Sequence, residues 1–534
     1  MTRSTKKFLS LMLCLALAFN LTACGSKKDD SASTSAPTAT PAESKTETSD
    51  ATQAPTEAPT SDVVKPESIT VMCDGTVFTE AQGRAAFEAA LEAELGIDII
   101  FNQPDHSGYY DVVSQTFVGG DWPDVILLGA AYYATYASAG ALADITEYWE
   151  NSDLKASGRF INEDLIEGIK IDGKLYGFTP ARGNGCVTYI RKAWLDQLGL
   201  EAPTTYDEYF NMIKLFTEND MDGSGDASNT FGVTAAGLIG NEAPFINYLP
   251  EFYQDAYPDF YKSADGTWVD GFSEDAMAGA LTRLKEAYEN GYIDKETITN
   301  GTKDCRNKFY DNKVGVFTYW AGTWASNLAD NLATNGLDSE LVVLQPIAEV
   351  GSYIERQAPV WCITTKCANP EGVFKYFFET MLDGGAVQTL WTYGAEGTHW
   401  STAAETVTYG ETTETYQAGE FHMLPSLETP DTLVKKNHLD PMLSLATFAG
   451  EDPGVSKIAP VALDCAEKFN EWSTVAPVIV SNETISNYSG DLWDLRNKVI
   501  TQVVTQGMSV EEGMQMYKDG SASMVSEILE SLNN

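Results

Sequence analysis

One stretch of this sequence has the residue types and spacing of a cation loop. In "FTENDMDGSGDASNTFGVT", residues 216–234, oxygen donors recur at near-alternate positions around two glycines: Asp220, Asp222, Ser224, the main chain of Asp226, and then Ser228 or Asn229. Calcium takes six to eight oxygen ligands, and alternate residues of a tight loop can deliver them. The bidentate glutamate that an EF-hand loop carries at its last position is missing, because Phe231 stands there. A donor set this poor in carboxylates predicts a weak, structural calcium site; the alternative is a metal-free polar turn. Residue sets for catalysis are scarcer. None of the histidines His106, His399, His422 and His438 stands in HExxH spacing, and the chain has neither GxSxG nor a GxxxxGK[ST] phosphate loop. A glycosidase needs two carboxylates across a cleft. With 77 Asp and Glu in the chain some pair is always at hand, so that pattern decides nothing.

The elements that would carry these residues alternate. "ESITVMCDGTVF" reads as a strand, "EAQGRAAFEAALEAELG" as a helix stopped by Gly96, and "IDIIFNQ" and "DWPDVILLG" as further strands. Such βαβ alternation predicts a parallel sheet with helices on its faces. "CVTYI" and "KVGVFTYW" read as strands, each followed by a helix. "PTTYDEYFNMIKLFTEN" is a helix whose Thr205 and Glu208 are spaced as a capping box, and it ends where the acidic loop begins. After the loop, "TFGVTAAG" is a strand rather than the second helix of an EF-hand. The tail from Met508 is helical, in two pieces.

The N-terminus has the layout of a secretory signal: Arg3, Lys6 and Lys7, then a mostly apolar run over residues 8–19, too short to span a bilayer. Leu21-Thr22-Ala23-Cys24 resembles a bacterial lipobox, which implies cleavage after residue 23 and lipidation of Cys24. Residues 25–62 are Ser, Thr, Ala, Pro and Glu rich and almost free of apolar side chains, so residues 24–65 are expected to be an unstructured tether with a reach of roughly 35 Å. The chain carries 34 basic against 77 acidic residues, a net charge of −43 that becomes more negative once the signal is removed. That argues against nucleic acid and anionic lipid as partners. Cys73, Cys186, Cys305, Cys362, Cys367 and Cys465 show no CxxC spacing and read as small buried side chains, with a Cys362–Cys367 pair as the alternative.

Several stretches, in order, resemble the extracellular solute-binding proteins of bacterial ABC importers, family 1, and among them the lipoproteins that bind oligosaccharides. They are "GDWPDVILLG", "DGKLYGFTPAR", "TYIRKAWLDQLGLEAPTTYDEYFNMIKLFTENDMDGSGDASNTFGVT", "NKVGVFTYWAGTWASN", "CANPEGVFKYFF", "YGAEGTHW" and "MSVEEGMQMYKDG". The resemblance implies an α/β fold of two lobes joined by a multi-strand hinge, the class II type of periplasmic binding protein. It implies an N-terminal lobe of residues 66–184 with 346–395, a C-terminal lobe of 185–345, and a segment 396–534 touching both; the crossings are expected near 182–186 and 344–346. It implies a monomer anchored on the outer face of the cell membrane that captures a carbohydrate and hands it to permease subunits, without turnover. A glycan-degrading lipoprotein and a receptor for peptides or another solute are the alternatives. Sugars need aromatic platforms and fixed polar groups. The resemblance points to Trp320, Trp324 and Tyr319 in "YWAGTWASN", to Glu396, His399 and Trp400 in "YGAEGTHW", to Arg182 at the first crossing, and to Asp74, Tyr110 and Trp122 in the first lobe; Trp361 is expected in the core. Some related proteins hold an EF-hand-like structural ion in the loop that corresponds to Asp220–Asn229.

Overall fold

A computed structural model describes residues 63–73, 79–104, 108–158, 163–171, 173–180, 183–240, 245–428, 430, 459–476 and 482–533. The expected signal, Cys24, the tether, Asp74 and Arg182 lie outside the described residues. Strands run in the order β1 (Ser68–Met72), β2 (Asp98–Asn102), β3 (Val125–Leu128), β4 (Cys186–Arg191), β5 (Phe231–Thr234), the hairpin β6 (Phe260–Lys262) and β7 (Trp268–Asp270), β8 (Val314–Trp320), β9 (Leu341–Val343), β10 (Tyr353–Glu355) and β11 (Val360–Ile363). The short strands β12 (Trp400–Ser401), β13 (Glu405–Tyr409), β14 (Thr412–Tyr416), β15 (His422–Met423) and β16 (Ser473–Val475) follow.

Two four-stranded sheets organise the chain. In the first, of order β11-β3-β1-β2, β1 lies parallel to β2 and β3, and β11 is antiparallel to β3. Parallel neighbours need crossover helices. One of them is Arg84–Leu95, which buries Phe87, Leu91 and Leu95 at four-residue spacing and stops at left-handed Gly96. β3 reads Val-Ile-Leu-Leu with every residue buried, as expected of a strand covered on both faces. In the second sheet, of order β5-β8-β4-β9, β5 is parallel to β8 while β4 is antiparallel to both β8 and β9. The helix Tyr206–Glu218 packs Tyr209, Met212, Ile213 and Phe216 against it. Its cap is not the reciprocal box expected: Thr205 accepts the Glu208 amide, but the Glu208 carboxylate turns to the amide and hydroxyl of Thr204.

Each sheet has its own core. Trp361 and Trp391 pack edge to face in the first at 5.5 Å, and Trp194 meets Phe216 in the second. The helices Glu483–Thr505 and Val510–Asn533 pack on the second core through Leu492, Val499, Ile500, Val503, Tyr517 and Ile528. The segment from Gly394 to Leu424 is instead pinned to the first sheet's side, where the His399 ring meets the carbonyl of Gln82. The described cysteines are free thiols, so Cys362 and Cys367 do not pair.

Two strand-like passages join the sheets. Phe178 bridges Trp361 of the first core; Gly183, Asn184 and Gly185 then lead into β4, where Cys186 opposes Trp320. The return passage lies later than the sequence suggested. Leu344 and Ile347 belong to the second core and β10 pairs with β16, so the chain crosses at Arg356–Ala358, not at 344–346. There Arg356 donates its amide to the carbonyl of Asn184, and the Gly183 amide is held by the buried Glu355 carboxylate at 2.9 Å. The two passages touch so closely that a Cβ on Gly183 would stand 1.7 Å from the Arg356 carbonyl oxygen.

Candidate functional site: the strand edges facing the hinge

The register settles which edge of each sheet faces the crossing. β4 enters the second sheet at Cys186, opposite the last residue of β8, so the carboxyl ends of β5 and β8 lie beside the hinge. β11 leaves the hinge at Val360, opposite Leu128, so the carboxyl ends of β1, β2 and β3 are turned the same way. Open α/β sheets bind ligands outside the carboxyl ends of their strands.

Aromatic side chains crowd these edges. Trp320, half-buried at the end of β8, carries the Arg356 guanidinium 4.5 Å from its ring centre. Trp324 stands in the first turn of the helix Thr323–Thr334, perpendicular to Tyr319 at 4.8 Å. The Arg306 guanidinium lies 5.0 Å from the Trp324 ring and 5.5 Å from that of Tyr319, and donates to the Tyr319 hydroxyl at 2.7 Å. On the first sheet's side, Tyr110 stacks on Tyr132 at 3.8 Å and 6°, and its hydroxyl accepts the Gly129 amide just past β3. Trp400 stacks on Phe421 at 5.0 Å, with its indole N–H on the Gly394 carbonyl. Glu396 is exposed beside it and accepts the Thr402 hydroxyl.

Thus Trp320, Trp324 and Tyr110 stand at the carboxyl edges beside the hinge, and Trp400 and Glu396 belong to the segment that His399 ties to the first sheet's side. Three other expected residues are engaged elsewhere. His399 is fully buried: its Nδ1 accepts the Ala395 amide, its Nε2 donates to the Gln82 carbonyl, and burial lowers its pKa. It ties two segments together and does not present a ring to ligand. Tyr319 is 5% exposed, packed between Phe317, Tyr248 and Trp324, and serves as backing for Trp324. Trp122 precedes β3, so it lies at the amino edge, away from the hinge, with its indole N–H on the Phe117 carbonyl and Lys366 over its ring. Trp361 is core, as expected. Sequence reasoning missed Arg306, Arg356, Tyr132 and Phe421. Of these, Tyr132 alone left a trace, in the aromatic cluster "AAYYATY" directly after β3.

The acidic loop folds on itself. Asp220 accepts the Ser224 and Gly225 amides through its two oxygens, and Asp226 accepts the amide and hydroxyl of Ser228. Gly225 has the positive φ of 85° that such a turn needs. Asn229 donates to the Ser224 hydroxyl, and its buried Oδ1 has no hydrogen-bond partner. Lys313, whose carbonyl accepts the Phe231 amide, places its ammonium 2.5 Å from Asp222. Burial of Asp222 opposes ionisation, but Lys313 and Ser224 outweigh it and hold the carboxyl well below its ordinary pKa. The orphaned Asn229 oxygen and the preset turn fit an oxygen-seeking cation. Yet among the described residues no three His, Cys, Asp or Glu stand together as a metal cluster, and Lys313 already supplies a positive charge.

Two α/β lobes with facing carboxyl edges and a glycine-tight double crossing define a hinged solute-binding fold. The family model for bacterial extracellular solute-binding proteins matches residues 79–382, and the chain belongs to that family. Lipoprotein LipO of Bacillus subtilis (strain 168) is 26% identical over 233 residues, 42% of this chain and 45% of that protein. The polygalacturonan/rhamnogalacturonan-binding protein YtcQ of the same organism is 25% identical over 241 residues, 43% of this chain and 46% of that protein. The chain therefore spans about half the length of these curated relatives. A solved HMO-binding, ABC-transporter-associated solute-binding protein from Bifidobacterium longum infantis shares the fold, with a TM-score of 0.61 at 16% identity, covering 88% of this chain and 98% of the other. The family is one of solute-binding proteins, which sets aside a glycan-degrading enzyme.

Proposed function

We propose that this protein captures an oligosaccharide between its lobes and delivers it to the permease of an ABC importer. The observation that carries this reading is the set of aromatic side chains at the carboxyl edges beside the hinge: Trp320 ends β8, Trp324 opens the helix after it, and Tyr110 bonds the Gly129 amide just past β3. Aromatic faces match the apolar C–H faces of sugars, and nearby polar groups fix the hydroxyls. Ligand contacts made only when both lobes engage would favour the closed state. The lipobox and tether, with the named lipoprotein and transporter-associated relatives, support attachment to the outer face of the membrane by lipid on Cys24, where the chain would act as a monomer. In the acidic loop Asp220, Asp222, Ser224, Asp226, Asn229 and Ser228 would hold a structural calcium ion, which would supply rigidity to the turn between helix and strand. Titrating the purified protein with a panel of oligosaccharides tests the central reading. A saturable change in tryptophan fluorescence, with the sugar recovered intact, is expected. Shortened sugars, or saturation by peptides alone, would overturn it.

A further inference from the structure

We propose that the solute is anionic: a saccharide bearing carboxylates, as uronic acid residues do, read by Arg306 and Arg356. This rests on the oligosaccharide reading of the same cleft and names its substrate class. Each tryptophan at the carboxyl end of β8 has an arginine against its ring, Arg356 on Trp320 and Arg306 on Trp324. Arg306 is half-buried on the helix Thr302–Tyr310 and fixed by two rings and the Tyr319 hydroxyl. Its one hydrogen bond among the described residues uses Nη1, and no described carboxylate pairs with it, although the chain has 77 Asp and Glu. A guanidinium has five N–H donors in a planar fork that suits a carboxylate, and stacking on aromatic rings fixes that plane in advance.

The rest of the chain sharpens the point. A surface carrying 77 acidic against 34 basic residues repels anions, so a uronate would enter only where fixed cations offset that field. Both arginines can donate to hydroxyls, but their fixed charge favours a carboxylate over a neutral group. In this arrangement the sugar lies beside the tryptophans, and its carboxylates reach the guanidinium that covers each ring.

Titration calorimetry of the full chain with trigalacturonate, its fully methyl-esterified form and neutral maltotriose tests this, on wild type, Arg306→Gln, Arg306→Lys and the distant control Lys192→Gln. The methyl ester keeps the ring and removes the charge. Wild type and the control are expected to bind trigalacturonate about ten- to a hundredfold more tightly than its ester, with affinity falling as salt rises. Arg306→Gln should abolish that preference at unchanged melting temperature, and Arg306→Lys should restore part of it. Preference for the ester or for maltotriose, or a preference for trigalacturonate that survives Arg306→Gln, would overturn the anionic reading alone. Binding of none of the sugars by wild type, when a wider neutral panel also fails, would overturn the saccharide reading and this one with it.

Discussion

Glu251 offers the sharpest thermodynamic test of the C-terminal lobe. It sits in the helix Pro250–Tyr253, 2% exposed; one oxygen accepts the Thr188 hydroxyl at 2.6 Å and the other has no hydrogen-bond partner. Burial pushes its carboxyl up from 4.5 to about 7, against the smaller pull of Thr188. Below pH 4.5 the group is neutral in both folded and unfolded chains, and its contribution is fully favourable. Between 4.5 and 7 the unfolded chain ionises and the folded one does not, so stability falls as pH rises; above 7 the loss is complete. The gap corresponds to roughly 3 kcal/mol, since each tenfold step is about 1.4 kcal/mol. Glu251→Gln keeps the shape and the acceptor for Thr188 but cannot ionise. Urea unfolding at pH 4.5 and pH 8.5 should show near-equal stability at the lower pH and a gain of about 3 kcal/mol for the variant at the higher. A gain of equal size at both, or a loss at pH 8.5, would refute the claim that an uncompensated buried carboxylate burdens this lobe.

Asp294, 1% exposed, accepts Lys308, Asn300 and Thr234, and these contacts outweigh burial to lower its pKa. Lys308→Met should therefore cost about 3–5 kcal/mol by chemical denaturation at neutral pH, and the stability this carboxylate supplies should fade as pH falls below its ordinary value of 3.8. Gly183→Ala would drive a Cβ to 1.7 Å from the Arg356 carbonyl oxygen; a lower melting temperature and a loss of ligand affinity larger than for Gly223→Ala in the acidic loop are expected from differential scanning fluorimetry and calorimetry. Lys313→Gln removes the internal cation from Asp222, so calcium should raise the melting temperature of this variant more than that of wild type, with EDTA reversing the effect; equal responses would show that Lys313 does not compete with a metal.

Local patterns in the chain carried most of the architecture. Pro123 and the run after it placed β3, and the Tyr209–Phe216 spacing placed the helix before the acidic loop, because burial on one or both faces writes its own period into the sequence. Trp122 and Tyr110 show where such patterns stop. Both are expected as ligand contacts in the first lobe, but strand direction puts Trp122 at the amino edge and Tyr110 at the carboxyl edge. His399 sits in a motif of polar and aromatic residues, yet its ring is spent on a backbone 317 residues away. Arg356 reaches the Gly183 carbonyl across 173 residues and covers Trp320 from the far side of the hinge. Contacts of that range leave no local period, so Arg356 carries no sign in the sequence of its place over Trp320.

The most direct test of the account is one calorimetric titration, comparing wild type with the Trp320→Ala/Trp324→Ala double variant against the tightest sugar of the panel. Buried tryptophans that anchor a ligand each contribute about 2 kcal/mol or more. The account predicts one-to-one binding by wild type and a loss of at least roughly a hundredfold in the folded double variant. Unchanged affinity in that variant would contradict it.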